Sequence, residues 1–212
     1  MEDIEVKTRI QEAARELIMQ YSVRSVSMDD IATSLGISKK TIYHCFKDKE
    51  ELIDTVLSGT FENNRSYCNK VMTEAENAVH EIFLALESHV EMFKTMNPAI
   101  LFDMQKYHPR VFSKFSEFKN HFLYQVIQNN LKRGIEEGLY RKDIRVDVLA
   151  KLRVEVIFLP FTPEFRKGFN ESFYDLHEEI ILHFLFGVVN EKGYALAMQY
   201  LHRYKENNTV NK

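Results

Sequence analysis

SMDDIATSLGISKKTIYHCFKDKEEL, Ser27 to Leu52, decides the fold. It reads as three short helices with their start signals written in. Ser27 sets an acceptor side chain over free backbone N–H groups, and Asp30 adds an acid in the first turn. Met28, Ile31, Ala32 and Leu35 then share one apolar face. Gly36 stands where a left-handed residue ends a helix at least cost. Ser38 caps a second helix, on which Ile42 and Phe46 face inward; Asp48 caps a third, with Glu51 completing a capping box. Two helices joined by a tight turn containing Gly make a helix-turn-helix, whose second helix enters the DNA major groove.

The solvent face of that second helix carries Lys39, Lys40, Thr41, Tyr43 and His44, and Lys47 and Lys49 follow. Lysines neutralise phosphates, and short polar side chains near a helix start reach base edges. A solvated lysine face is the plain alternative, but this cluster sits on the correct helix of a complete turn motif. Thr41 and His44 are the expected base-edge contacts, with Lys39 and Lys40 at bases or phosphates. Ser27, Tyr43 and Lys49 are expected at phosphates, and Ser38 completes the set.

At these residues the chain resembles the tetracycline-repressor (TetR) family. The pattern IA..LG(I/V)SK.T(I/L)Y..F..K(D/E).L appears as Ile31-Ala32, Leu35 to Lys39, Thr41 to Tyr43, Phe46, Lys49 and Leu52. Ile10, Ala13-Ala14 and Leu17 match the family's first helix, and Ser25-Val26-Ser27 its link into the second. The specific resemblance covers about the first quarter of the chain. Two positions depart from it. Ser22 stands where relatives carry a helix-ending Gly, at a cost of ~1 kcal/mol if the position is left-handed. Cys45 replaces an aromatic or His that touches phosphate.

At 212 residues, 45% hydrophobic, with 7 Gly and 4 Pro, the chain can bury a core and favours helices throughout. The net charge of −3 excludes a generic basic nucleic-acid coat. It suits a regulator with a small basic reading surface, since residues 36–49 hold four lysines against one acid. An acidic body limits non-specific adhesion to DNA. The first twenty residues are charged and amphipathic, unlike a signal peptide, and no apolar run spans a bilayer. Cys45 and Cys68 are too few for a disulfide framework, so a reducing cytoplasm is expected. A redox role for Cys45 stands beside that of an inert thiol.

The expected architecture is all-α. Residues 1–60 form a three-helix helix-turn-helix domain, with its motif at 27–46. A continuous helix from Lys49 past Phe61 leads into a larger helical domain, 61–212. Gly59 lies inside that helix, as a tolerated surface glycine or as a soft point. Helices are expected over 78–96, from Pro98 to about 107, over 108–137 with two apolar faces, over 146–161, over 171–190, and from Gly193 to Tyr204 before a frayed tail. The helix over 171–190 is too apolar for the surface of a monomer. With 146–161 it is expected to form a homodimeric four-helix bundle through Phe173, Ile180, Phe184, Gly187 and Val188. NLKRGIEEGLYRKDI, Asn130 to Ile144, and FLFGVVNEKG, Phe184 to Gly193, resemble stretches near the dimer-forming helices of TetR proteins.

No phosphate loop, HExxH, CxxC or GxSxG occurs, so no catalytic residue and no cofactor is expected. Glu76/His80, Glu117/His121 and Glu179/His183 share helix faces, a spacing that serves a metal or a surface salt bridge; no metal is expected. The TetR resemblance implies an effector pocket among the middle helices, for a small apolar or amphipathic molecule. Candidate lining residues are Met92, Met96, Phe102, Tyr107, Phe122, Tyr124 and Arg153, each of which also reads as plain core. The reading that follows is a dimeric, ligand-responsive repressor on palindromic duplex DNA. Within that class, a ligand-free regulator or an activator is the alternative. From another class, the alternative is a helical carrier or enzyme with a vestigial DNA-binding end.

Overall fold

Apolar residues at helical spacing, few glycines and strong start signals give a chain of helices. The computed structural model describes residues 2–209, with side chains for all of these but Glu2, His89, Glu91, Met92, Lys94, Asn208 and Thr209. In order the helices are α1 (Glu2–Ser25), α2 (Met28–Leu35), α3 (Lys39–Cys45), α4 (Lys49–Glu74), α5 (Ala78–Thr95), α6 (Ile100–Tyr107) and α7 (Pro109–Glu117). They continue as α8 (Tyr124–Glu136), α9 (Val146–Ile157), α10 (Pro163–Arg166), α11 (Phe173–Val188) and α12 (Glu191–Thr209). Among the described residues, extended pairing is confined to an antiparallel bridge between Tyr140 and Val189. The chain is all-α, as its composition requires.

Several boundaries depart from expectation for local reasons. Asn97 and Pro98 form a turn, its Oδ1 accepting from the Ala99 N–H, so α6 opens at Ile100. PFTPEF, expected only to break a helix, supplies a 3₁₀ turn at Leu159–Phe161 and the short α10. The last helix begins at Glu191 and runs to Thr209, beyond the expected end at Tyr204. Residues 210–212 of the expected frayed tail lie outside the described residues.

The chain packs as two compact units. The first comprises residues 1–64 and 95–118, the second 65–94 and 119–212. Residues 95–118, counted above with the second domain, thus pack with the helix-turn-helix.

In the first unit, Ile10, Ala14 and Ile18 of α1 meet Ile31, Ile42 and Phe46, all essentially buried. Three polar ties fasten α6 and α7 into the same unit. Ser22 Oγ donates to Asp103 Oδ2 at 2.5 Å, His108 Nδ1 lies 2.5 Å from Glu50 Oε2, and Lys114 Nζ donates to Asp54 Oδ1 at 2.6 Å. Ser22 kinks α1 at φ 72°, ψ 157°, a region otherwise almost reserved for glycine. Such strain costs about 1–3 kcal/mol, and a hydrogen bond to a charged group returns about 1.5–3 kcal/mol. Ser22→Gly relieves the strain and loses the bond, so it should change stability little. Ser22→Ala loses the same bond and keeps the strain. Asp103 lacks this donor in both variants, so the strain alone separates them, and denaturant unfolding should place Ser22→Ala below Ser22→Gly by about 1–3 kcal/mol; the reverse order would refute this account.

In the second unit, Ile127, Leu131, Ala150, Val154, Ile181, Leu185 and Val188 build the core. Two glycines permit close approaches. A Cβ on Gly134 would fall on the Tyr140 ring, and one on Gly193 would strike the Leu139 carbonyl. The Asn190 N–H donates to that carbonyl at 3.0 Å, and Arg141 N–H donates to Val188 O at 2.9 Å. These bonds clamp the loop after α8 to the start of α12.

One helical run links α7 to α8 through a π turn, Phe118–Leu123. The π turn absorbs one extra residue in the ladder, which shifts the phase of the apolar spacing and accounts for the two faces in the sequence. Phe115 and Phe118 are buried on one side of the turn, Ile127 and Leu131 on the other.

Candidate nucleic-acid interface

The reading head is set by caps that satisfy the helix ends. Ser27 Oγ accepts from the Asp30 N–H and Asp30 returns the bond to the Ser27 N–H, a full capping box. The Ser27 bonds and Lys49 hold the Asp30 carboxyl below its usual range. Gly36 ends α2 at φ 65°, with its N–H bonded back into the last turn. Ser38 caps α3 by accepting from the Thr41 N–H at 3.1 Å. Asp48 Oδ1 accepts from the Glu51 N–H, while Glu51 reaches back to the Lys47 N–H rather than to Asp48. Only Ile42 of α3 is buried, so the helix presents its remaining faces outward.

On that surface Ser27, Ser38, Lys39, Lys40, Tyr43 and His44 are exposed and Thr41 is half-buried. Five of the expected contacts already have partners within the chain, Ser27 through its capping box with Asp30. Lys39 Nζ pairs with Asp29 Oδ2 at 2.8 Å, which raises its pKa. The Thr41 and Ser38 hydroxyls lie 2.9 Å apart. Lys49 Nζ donates to the Val23 carbonyl at 2.8 Å, and its partial burial lowers its pKa. Lys49 therefore ties α4 to the end of α1 in the free protein. Lys40 and His44 make no such bond among the described residues. The Asp29–Lys39 pair spans ten residues across the turn, and no local pattern in the sequence announces it.

The expected dimer residues divide. Phe173 is buried against Phe93 and Phe161, and Val188 lies in the core of its own chain. Ile180 is half-buried and Gly187 exposed, with open space where a Cβ would stand. Ile180 and Phe184 of α11, with Leu152 and Val156 of α9, line an open apolar groove of about 410 Å³ edged by Glu179 and His183.

The expected pocket residues also divide. Met96, Phe102 and Tyr107 belong to the first unit, and Phe122, Tyr124 and Arg153 to the second. The side chain of Met92 lies outside the described residues. Phe102 is 53% exposed and Tyr107 38%, both beside Lys106. Phe122 is half-buried under Arg65, and the Tyr124 hydroxyl accepts from Gln128. Arg153 alone is deeply buried.

No group of three potential metal ligands gathers among the described residues. Glu76 and His80 instead bind around Tyr200: its hydroxyl donates to Glu76 and its ring stacks on His80. Cys68 is half-buried, and burial pushes its thiol up to about 11. No helix of the described residues is long and apolar enough to cross a membrane.

Comparison with known proteins agrees with this geometry. Residues 10–56 match the family "Bacterial regulatory proteins, tetR family". The chain is 24% identical over 143 residues to the HTH-type transcriptional repressor KstR2 of Mycobacterium tuberculosis, covering 66% of this chain and 72% of that protein. The fold matches a TetR-family regulator from Agrobacterium tumefaciens with a TM-score of 0.72 at 17% identity, covering 89% of this chain and all (100%) of that one. It also matches FadR of Bacillus subtilis, solved in complex with stearoyl-CoA. There the TM-score is 0.64 at 16% identity, over 85% of this chain and 98% of that one.

Proposed function

We propose, from an N-terminal domain that belongs to the tetR family of bacterial regulatory proteins, that the chain is a sequence-specific DNA-binding transcriptional regulator, a ligand-responsive repressor of the cytoplasm. The observation that carries this is α3, capped by Ser38 and held by a single buried residue, Ile42, with Lys40, Tyr43 and His44 turned outward. A helix so mounted reads major-groove edges with its side chains while flanking lysines meet phosphates. Residues 1–60 do the reading; residues 61–212 carry dimerisation and sensing.

The groove between α9 and α11 supports dimerisation. Leu152 is 49% exposed and Val148 is 44% exposed on α9, beside Ile180 and Gly187 of α11. Apolar side chains gathered in this way mark an association surface. A second copy, meeting it with the same helices, completes a four-helix bundle and pairs two reading heads for the half-sites of a palindrome. An apolar or amphipathic effector in the second unit favours a state in which the heads no longer fit successive major grooves. A hundredfold release needs only about 2.7 kcal/mol of differential affinity.

The test is to sequence the fragments that the purified protein retains from random duplex DNA. A palindromic consensus is expected, bound by a dimer in sedimentation at micromolar protein. Ile180→Glu should split the dimer and weaken binding to the full palindrome, since it would bury an unpaired charge. Retention of random fragments without a consensus would refute the regulator; a monomeric parent would refute the dimer.

A further inference from the structure

Arg153 of α9 is 7% exposed in the core of the second unit. Its guanidinium lies over the Phe184 ring, 5.1 Å from the ring centre. Its Nε–H has no hydrogen-bond partner, and none of the described carboxylates forms an ion pair with it. The neighbouring polar groups are already committed. Arg133 Nη1 meets Glu81 Oε2 at 3.3 Å, and Arg133 Nε donates to Glu137 at 2.7 Å. The Tyr140 hydroxyl bonds to the Ala78 carbonyl and to Asn130 Oδ1.

A buried guanidinium normally brings its counter-ion with it, because removing an ion from water costs several kcal/mol unless that ion is paired. Cation–π stacking on Phe184 satisfies one face but none of the N–H donors. Burial weakens the hold of Arg153 on its proton, while Glu81 and Tyr140 act the other way. An arginine side chain stays protonated in a protein, so the charge sits in the core without a protein acceptor for its Nε edge.

We propose that the missing partner is the carboxylate of the effector, an organic acid with an apolar body, accepting side-on from Nε and one Nη of Arg153. This rests on reading the second unit as a sensing domain and names the ligand class that it takes. The planar fork of arginine matches two carboxylate oxygens, an alcohol oxygen satisfies it poorly, and an amine repels it. Ala150 and Val154 on the same helix are fully buried, so the neighbourhood of Arg153 is apolar and suits an acid with an apolar body.

Two measurements on the full chain without DNA test this. The first is stability in the absence of ligand. Arg153→Met removes an unpaired buried charge, so it should melt above the parent; an arginine that held the core together would give the opposite. The second is calorimetric titration with octanoate, palmitate and phenylacetate, each beside its matching primary alcohol. At least one acid should bind the parent about ten- to a hundredfold more tightly than its alcohol. That preference should vanish in Arg153→Met and survive in part in Arg153→Lys. Acids and alcohols binding alike, no acid binding, or a less stable Arg153→Met would each overturn the proposal. Because DNA is absent, such a failure leaves the DNA-binding reading untouched, whereas loss of operator selection with acid binding intact would remove that reading alone.

Discussion

Lys40→Ala combined with His44→Ala is expected to lower affinity for the selected operator by about a hundredfold or more. Both side chains project from α3 into solvent without a partner among the described residues, so both are free to meet DNA. A lost bidentate base contact costs about 1–3 kcal/mol, so two in concert cost about 2–6 kcal/mol, a range centred above the roughly 2.7 kcal/mol that a hundredfold requires. Exposed positions leave the fold within about 0.5 kcal/mol of the parent, so unfolding controls should coincide. Lys39→Ala should cost less, because Lys39 must first give up its bond to Asp29. Fluorescence anisotropy at fixed salt checks the series, and a double variant that binds like the parent would disprove the assignment. If His44 reads a base and Lys40 a phosphate, the salt slope separates them. Loss of the phosphate contact flattens log affinity against log salt by about 0.9, and loss of the base contact does not.

The second large effect is on stability. Gly193→Ala places a methyl group against the Leu139 carbonyl and the Val189 side chain. The obstacle is backbone, itself held by Asn190, so no rotamer change relieves it. Overpacking of this kind costs about 3 kcal/mol, which in a chain of this length lowers Tm by about 6–12 °C. Gly59→Ala is the matching control. Gly59 is exposed on α4 with open space around it, and Ala there should gain up to about 1 kcal/mol through helix propensity alone. Calorimetry should thus show the two substitutions moving in opposite directions. Equal melting of Gly193→Ala and the parent would mean that α12 does not seat on the loop as described.

The reading head is legible in the sequence because its determinants are local. Ser27 to Asp30, Gly36, and Ser38 to Thr41 act over three or four residues, and all act as their spacing implies. What escapes the sequence is the work of long separations. Ser22 announces a strained position, but its partner Asp103 lies 81 residues away. The ties from His108 to Glu50 and from Lys114 to Asp54, which draw α6 and α7 to the first unit, span 58 and 60 residues. In α11 the difficulty is different. Apolar residues occupy nearly every side, so periodicity cannot tell the face spent on the core at Phe173 and Val188 from the spare face at Ile180. Aromatic content points to Phe102 and Tyr107 as pocket walls, but composition carries no direction, and both are exposed. In the sequence Arg153 is one candidate among seven; only its burial without an acceptor at Nε sets it apart.

The π turn at Phe118–Leu123 acts on the helix as a phase shift. Point substitutions there alter side chains but leave the angular bookkeeping of α8 intact. The turn spends one residue more on the same angle than an α-helix does, so deleting one residue inside it leaves the side chains downstream facing as before. The same deletion a few residues later, in α8 itself, redirects every side chain after it by about 100° around the axis and swings Leu131 away from the core side. The segment is therefore where the helix tolerates a change of length, a slack that α8 beyond it lacks.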